Sequence, residues 1–257
     1  MALQQLYHPE SGRMRIAGFM SGSGSNLRKI LETEKRLETQ EGYCPYKVVV
    51  LFSDNPSSNA SRIAEEYQLP CILSDIQRFY DARKRPRRDM HVREKFDFQT
   101  LSFLEPYGID VLAFAGYMSI ASPLLLRRFL GVNVHPADLS VRERDLPKYT
   151  GAHAVRDAIL AGEHFLSSST HMIEEKVDQG KILMISKPLE VRLDGVDLRN
   201  KKEVQRVAEE HQEQLKEIGD WIIFPQTLLH LADGRFSKDE QGNLYFDGKA
   251  IPQGVRL

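Results

Sequence analysis

The chain is poor in several residue types that would commit it to particular functional classes. It has only two cysteines, Cys44 and Cys71, with no paired spacing. That argues against a disulfide framework or a thiolate zinc site and points to a reducing, cytoplasmic setting. Charge of one sign is also missing. The formal net charge is -1, so no global field favours nucleic acid or an anionic membrane. No apolar run approaches the length of a membrane span. The start, Met1 to Arg13, is polar and lacks the apolar centre of a signal peptide. Internal repeats, low-complexity tracts and a convincing interdomain linker are absent as well.

What is present suits one α/β domain. The 257 residues are 41% hydrophobic and 28% charged, enough for a full core. Met14 to Met20 reads as a strand, followed by a Gly/Ser turn and a helix from about Asn26 to Arg36. Lys47 to Phe52 and Asp110 to Ala115 are continuous apolar runs, as expected of buried parallel strands. Helices are expected over Asn59 to Tyr67, His91 to Leu104 and Pro123 to Leu130, and strands over Pro70 to Leu73 and Gly131 to His135. The alternation predicts a doubly wound, mostly parallel sheet, a Rossmann-like α/β fold. Asp75 to Asp89 and Ala137 to Thr150 read as loops. Farther on come a helix over Ala152 to Ala161 and strands over Ser168 to Glu174 and Ile182 to Val191. A long polar helix over Lys201 to Gly219 and a small hairpin over Glu240 to Pro252 complete the pattern. Trp221, Ile222, Ile223 and Phe224 are expected in the core. Residues 14–257 are expected to form a single domain behind a short extension, residues 1–13.

Three places carry candidate chemistry. The block Ser21-Gly22-Ser23-Gly24-Ser25-Asn26 lies between a strand and a helix start. Glycines there admit a ligand close to the backbone, and helix N-terminal amides favour an anion. It is neither a Walker loop nor a dinucleotide fingerprint, since Leu27 stands where a third Gly belongs. A capped tight turn is the plain alternative; its position after the first strand favours phosphate binding by Gly22, Ser23, Gly24, Ser25 and Asn26. Asn133 and His135, two apart on a strand, share one face. They offer an amide donor and an imidazole to one small volume, which suits carbonyl chemistry; a strand-end cap and a half-buried histidine are the alternative. Asp178 lies in a turn between strands, where Asp is common for structural reasons. Were it near His135, it would raise the imidazole pKa and favour proton donation. The basic run Arg78 to Arg88 reads as a solvated loop, with a phosphate or RNA contact as the sharper alternative.

In order along the chain, these and further blocks resemble the folate-dependent formyltransferases. The resemblance runs from Met14 to the C-terminus. It rests on Ser21 to Leu27, Arg93-Glu94-Lys95-Phe96-Asp97, Ala115-Gly116-Tyr117-Met118 and Asn133-Val134-His135-Pro136. Leu146-Pro147-Lys148-Tyr149 with Gly151 and His153 follows, then Asp178-Gln179-Gly180 and Ala232-Asp233-Gly234-Arg235. Asp247-Gly248 and Pro252-Gln253-Gly254 end the series. The resemblance implies Asn133, His135 and Asp178 as a catalytic trio and 10-formyltetrahydrofolate as one-carbon donor, with no metal. It implies a substrate phosphate on the glycine-rich block, substrate contacts from Arg93 and Asp220, and a folate pocket formed by Tyr117, Met118, Ser119, Ile120, Val177 and Gly180. In the branch of the family it most resembles, the acceptor is the amine of glycinamide ribonucleotide, in purine biosynthesis. The implied partners are that small-molecule amine and the folate, with no nucleic acid and no membrane, and a monomer or homodimer.

The sequence departs from the family pattern in several places. A charged segment, Ala137 to Asp145, follows His135-Pro136 where the family has a short link. Thr150 replaces a common Pro, and Ser119 stands where some members place an Arg near the folate. These changes leave other acceptors open, such as an amino sugar nucleotide or a specialised metabolite. Formyltetrahydrofolate hydrolysis uses a related site but usually with an N-terminal regulatory domain, for which Met1 to Arg13 is too short. Methionyl-tRNA as acceptor goes with a C-terminal RNA-binding domain that does not fit after the hairpin. The retained trio argues against a binding protein that has lost activity.

Overall fold

An eight-stranded sheet with helices on both faces organises the chain, in a computed structural model that describes residues 2–257. Its strands are β1 (Met14–Met20), β2 (Tyr46–Ser53), β3 (Cys71–Leu73), β4 (Val111–Phe114), β5 (Leu130–His135), β6 (Ser169–Met172), β7 (Ile182–Ile185) and β8 (Val255–Arg256). They lie in the order β8-β7-β6-β5-β4-β1-β2-β3. All neighbours are parallel except β5–β6 and β6–β7. The helices are α1 (Ser25–Gln40), α2 (Ala60–Tyr67), α3 (Ile76–Asp81), α4 (Met90–Leu104), α5 (Pro123–Arg128), α6 (Ala154–Leu160), α7 (Lys201–Leu215) and α8 (Trp221–Ala232).

Alternation along the strands divides the core between the two faces. Met14, Ile16 and Met20 of β1 pack with Leu27 and Ile30 of α1 and with Ile223, Phe224 and Leu228 of α8. Ala17 and Phe19 point the other way, toward Val92 and Phe96 of α4 and Leu125 of α5. On that second face Phe19 stacks on Phe114 with ring centroids 5.2 Å apart, and Tyr117 meets both rings edge-on. The ring cluster fixes where the chain leaves β4. The chain leaves β1 for β2 on one side, and later re-enters at β4 on the other. The carboxyl ends of β1 and β4 therefore bound the crevice where open α/β sheets bind ligands.

Several stretches differ from their sequence expectations for local reasons. Asp75 to Asp89 is not all loop. Asp75 Oδ1 accepts from the Arg78 amide at 2.9 Å and caps α3, and Asp89 caps α4. Ala137 to Thr150 contains a small antiparallel ladder, Arg142–Glu143 against Leu146–Pro147. Its turn residues, Arg144 and Asp145, take positive φ values of 49° and 65°, the conformation that twist-matched hairpin turns need. The helix expected over Lys201 to Gly219 runs on through a π-helical turn, Lys216–Asp220, into α8. Phe224 and Ile223 are buried as expected, but Trp221 is only half-buried and Ile222 is exposed because α8 has a solvent side. The C-terminal hairpin joins a separate small sheet, in which Gln4–Gln5 pairs with Phe236–Lys238. Tyr7 of the N-terminal extension packs into the first core face.

Because Phe19 is fully buried between Phe52, Phe114 and Tyr117, Phe19→Ala should lower unfolding free energy by about 3–5 kcal/mol in denaturant titrations. A loss near the surface-mutation range, about 0.5 kcal/mol, would show that this ring cluster does not hold the sheet.

Candidate active site

The Gly/Ser block turns directly from β1 into α1. Gly24, the residue before the helix, has φ 74°. A Cβ there would come within 2.5 Å of Ile63 Cδ1 and 2.7 Å of Met20 Cε, so the position needs glycine on both counts. The loop is tied down from behind. Asn59 Nδ2 donates to the Ser23 carbonyl at 3.1 Å, and Asn55 Nδ2 donates to the Ser21 carbonyl at 2.9 Å. Gly22 and Ser23 remain exposed. No acidic residue occupies the first turn of α1, which favours an anion at that N-terminus, although Asp220 reaches Asn26 of that turn from outside the helix.

Asn133 and His135 end β5, and the antiparallel partner β6 supplies a residue that sequence reasoning missed. His171 sits directly opposite Asn133 in the register. Asn133 Nδ2 lies 3.1 Å from His171 Nε2. The signal was a histidine at strand period inside Ser168 to Glu174, but the pairing register was needed to read it. The other nitrogen, His171 Nδ1, faces the Met172 carbonyl at 2.8 Å and must donate to it. His171 Nε2 is then the acceptor for the Asn133 amide.

Asp178 lies between two imidazoles. Its Oδ2 is 3.4 Å from His135 Nδ1 and its Oδ1 is 3.5 Å from His171 Nε2. The Gly151 amide donates to Oδ2 at 2.7 Å. His135 Nε2 faces the Tyr149 carbonyl at 3.0 Å and so carries a proton. Each neutral imidazole therefore turns a lone pair toward a carboxylate, and a proton added at His135 Nδ1 would be shared with Asp178 Oδ2. Asp178 reaches this position in a left-handed conformation, φ 54°. Gly180 two residues on makes the approach feasible, since a Cβ there would sit 1.7 Å from the Met172 carbonyl oxygen.

The pKa directions correct one expectation. Burial pulls the His135 imidazole below its ordinary value, and the opposing pull of Asp178 and the Tyr149 carbonyl does not overcome it. Asp178 does not make His135 a standing cation. Burial acts to raise Asp178, but His171 and His135, which attract it whenever an imidazole is protonated, and the Gly151 amide leave its carboxyl below the usual range. Asp220, at the end of the π-helical turn, is raised by burial despite Ser168 Oγ at 2.5 Å and Asn26 Nδ2 at 3.2 Å.

One cavity of about 500 Å³ joins these parts. Residues 21–26, 114–121 and 133–136 line it, with Gly151, Ala152, His171, residues 173–175, Val177, Asp178, Gln212, Lys216 and Asp220. All sequence-predicted site residues line it except Arg93 and Gly180. Arg93 is 2% exposed. Its Nη2 donates to Tyr117 Oη at 2.8 Å and lies 2.8 Å from Asp97, so it stands behind Tyr117 rather than in the cavity. Gly180 acts through the close approach just described. Asn26 lines the cavity, but its amide NH₂ is directed to Asp220, and its Oδ1 is a buried acceptor with no partner among the described residues. Met118 and Ile120 are exposed apolar side chains on one wall, with Val177 near the trio. Among the described residues no group of three or more His, Cys, Asp or Glu is arranged to hold a metal ion. Among them, too, no helix is long and apolar enough to cross a membrane.

Residues 14–217 match the family described as Formyl transferase. A phosphoribosylglycinamide formyltransferase of Haemophilus influenzae is 26% identical, covering 93% of this chain and 96% of its own length. One from Mycobacterium tuberculosis is 29% identical over 78% of this chain and 82% of its own length. The solved phosphoribosylglycinamide formyltransferase of Coxiella burnetii matches the fold at TM-score 0.70 and 19% identity, covering 95% of this chain and 99% of that one.

The histidine shift fixes a pH signature. His135 has a folded value below its ordinary 6.5, so the unfolded chain takes up the proton first and stability falls as pH drops from that value through the folded one. Asp178 has a folded value below 3.8, so its contribution persists above that and is lost only at lower pH. Denaturant midpoints measured between about pH 7 and about pH 5 should therefore fall more steeply in the wild type than in His135→Asn. Parallel slopes would show that His135 titrates as it does in the unfolded chain.

Proposed function

The chain belongs to the formyl transferase family, and from that premise we propose that it transfers the formyl group of 10-formyltetrahydrofolate to the amine of glycinamide ribonucleotide. The observation that carries this reading is a single cavity holding an anion-ready helix N-terminus at one end and the Asn133, His135, Asp178 cluster at the other. Phosphate and amine of one substrate are thereby assigned separate, fixed partners. The relatives named phosphoribosylglycinamide formyltransferase support the acceptor.

The inserted segment does not argue for another amine. The cavity wall passes from Pro136 to Gly151 and includes none of residues 137–150. The segment is anchored beside the cavity without lining it, with Arg256 Nη2 donating to Asp138 Oδ2 at 2.9 Å and the Leu139 amide donating to Ser169 Oγ at 3.0 Å. Its charged hairpin tip is exposed.

In the reaction the acceptor phosphate sits on the amides that open α1, with the Gly22 and Ser23 backbone beside it. A ribose hydroxyl donates to the unpaired Asn26 Oδ1, and Asp220 orients that asparagine. The folate ring system lies against Met118, Ile120 and Val177. The neutral amine attacks the formyl carbon, and its carbonyl oxygen becomes an oxyanion. The Asn133 amide turns from His171 to donate to that oxygen. A proton added at His135 Nδ1 is held by Asp178, and the Nε2–H, turned from the Tyr149 carbonyl, is the second donor to the oxyanion. As the intermediate collapses, the proton lost by the attacking nitrogen replaces the one delivered to the leaving folate nitrogen, so the cluster ends as it began. His135 is thus charged during the reaction rather than before it. The chemistry uses no metal. We place the enzyme in the cytoplasm, with residues 14–257 as its catalytic domain, acting as a monomer or homodimer.

The test is tetrahydrofolate release. It should require glycinamide ribonucleotide, and His135→Ala and Asp178→Asn should each slow it by about a hundredfold or more with folding retained by circular dichroism. Release without any amine would identify a hydrolase. No release with glycinamide ribonucleotide would sink the acceptor assignment.

A further inference from the structure

The sequence holds seven methionines, and their surroundings differ. Met14, Met20 and Met184 are fully buried, and Met172 is half-buried. Met90, on α4, is 40% exposed but is not part of the cavity wall. Met118 is the one described methionine that lines the cavity, and at 71% exposed it is the most open of them. The residues around it do not share that freedom. Tyr117 and Ala121 are buried, the first within the ring cluster of Phe19 and Phe114.

The backbone holds Met118 in this open position. Its amide donates to Ser21 Oγ at 3.0 Å, and Ser21 Oγ donates to Asp54 Oδ1 at 2.6 Å. The next residue is tied on two sides: Ser119 Oγ donates to Asp54 and accepts from Arg87 Nη2 at 2.8 Å. The chain around Met118 is therefore fixed, while its side chain stands open at the cavity wall. A thioether in that position is accessible to a peroxide. In the reaction the sulfur takes one oxygen atom and loses two electrons, and hydrogen peroxide is reduced to water. The sulfoxide keeps the length of methionine but turns an apolar, flexible side chain into a polar one. On the wall assigned above to the folate ring system, it sets an S=O dipole where a ligand would cover it without a hydrogen-bond partner, which costs binding free energy.

We propose that Met118 is an oxidative modification site: peroxide converts it to the sulfoxide, the sulfoxide weakens binding of the folate donor, and bound donor shields the sulfur. The inference rests on the folate reading above. A dithiol-dependent methionine sulfoxide reductase reverses the change, returning the thioether and leaving a disulfide and water. The two thiols do not compete for this role at the cavity. Cys44 is buried, Cys71 is half-buried, and neither lines the wall.

The experiment treats the protein with hydrogen peroxide and maps sulfoxides by peptide mass spectrometry. Steady-state kinetics and direct binding of 10-formyltetrahydrofolate are measured before and after. Met118 should oxidise about threefold or more faster than Met90, and saturating donor should slow Met118 alone by about fivefold or more. The oxidised protein should show a donor KM raised about fivefold or more with kcat within about twofold, and sulfoxide reductase should restore it. Met118→Leu, whatever its own rate, should lose no further donor affinity on treatment, whereas Cys71→Ser should stay as sensitive as the wild type. Met118 sulfoxide with unchanged donor KM and binding overturns the proposal. So does oxidation of Met118 at the same rate with and without donor. So does a loss that persists in treated Met118→Leu, or one that dithiothreitol alone reverses, which would mark a thiol. Untreated protein that binds no folate refutes the folate reading, and the proposal with it. Donor binding without turnover refutes only the acceptor assignment, and the peroxide effect is then read from the binding constants.

Discussion

Everything at this site depends on one buried carboxylate held between two imidazoles. Asp178 is out of water, and an isolated charge there would be costly. The Gly151 amide donates to it at 2.7 Å, and the two imidazoles beside it help hold its carboxyl below the usual range. Each imidazole is oriented by a backbone carbonyl on its far side, Tyr149 for His135 and Met172 for His171. Those carbonyls fix which nitrogen is protonated, and with it the direction in which a proton can be exchanged with Asp178. The geometry of the cluster is therefore set by backbone groups on both sides of the carboxylate.

The surrounding fold serves that cluster. The antiparallel pairing of β5 and β6 brings Asn133 opposite His171 and Ser169 opposite His135. The tight approach at Gly180 brings the Asp178 turn onto the end of β6. Ser169 also anchors the inserted segment by accepting from the Leu139 amide and donating to the Ala137 carbonyl at 2.7 Å. The insertion is thus absorbed by backbone groups beside the site, and its charged tip stays in solvent. At the other end of the cavity, the switch between β1 and β4 leaves the α1 N-terminus pointing into the same space.

The apolar wall at Met118 and the Gly/Ser loop are not independent. Ser21 opens the Gly/Ser loop and accepts from the Met118 amide on the apolar wall, while Asp54 holds both Ser21 and Ser119. A displacement of either wall is felt by the other through hydrogen bonds within a few ångströms. Arg87 is attached to this same network through Ser119. A long, basic loop that reads as solvated in sequence is in this way connected to both halves of the cavity.

While Asp178 stood out only through the family resemblance, the sequence by itself determined the parallel sheet, the turn from β1 into α1, and the candidate residues Asn133 and His135. These are legible because they are written in local patterns: apolar runs of strand length, a Gly/Ser turn before a helix, and polar residues at strand period. Only the tertiary structure decided the rest. His171 became a site residue through strand register, and Arg93 left the cavity because Asp97 and Tyr117 enclose it. The direction of the His135 shift followed from how deeply the imidazole is buried. Arg87 was carried to Ser119 by the capped helices α3 and α4 that flank its loop. In each of these cases the deciding quantity was a distance or a burial between residues far apart in the chain. Local sequence pattern does not encode such quantities, because they come from how whole elements pack against one another.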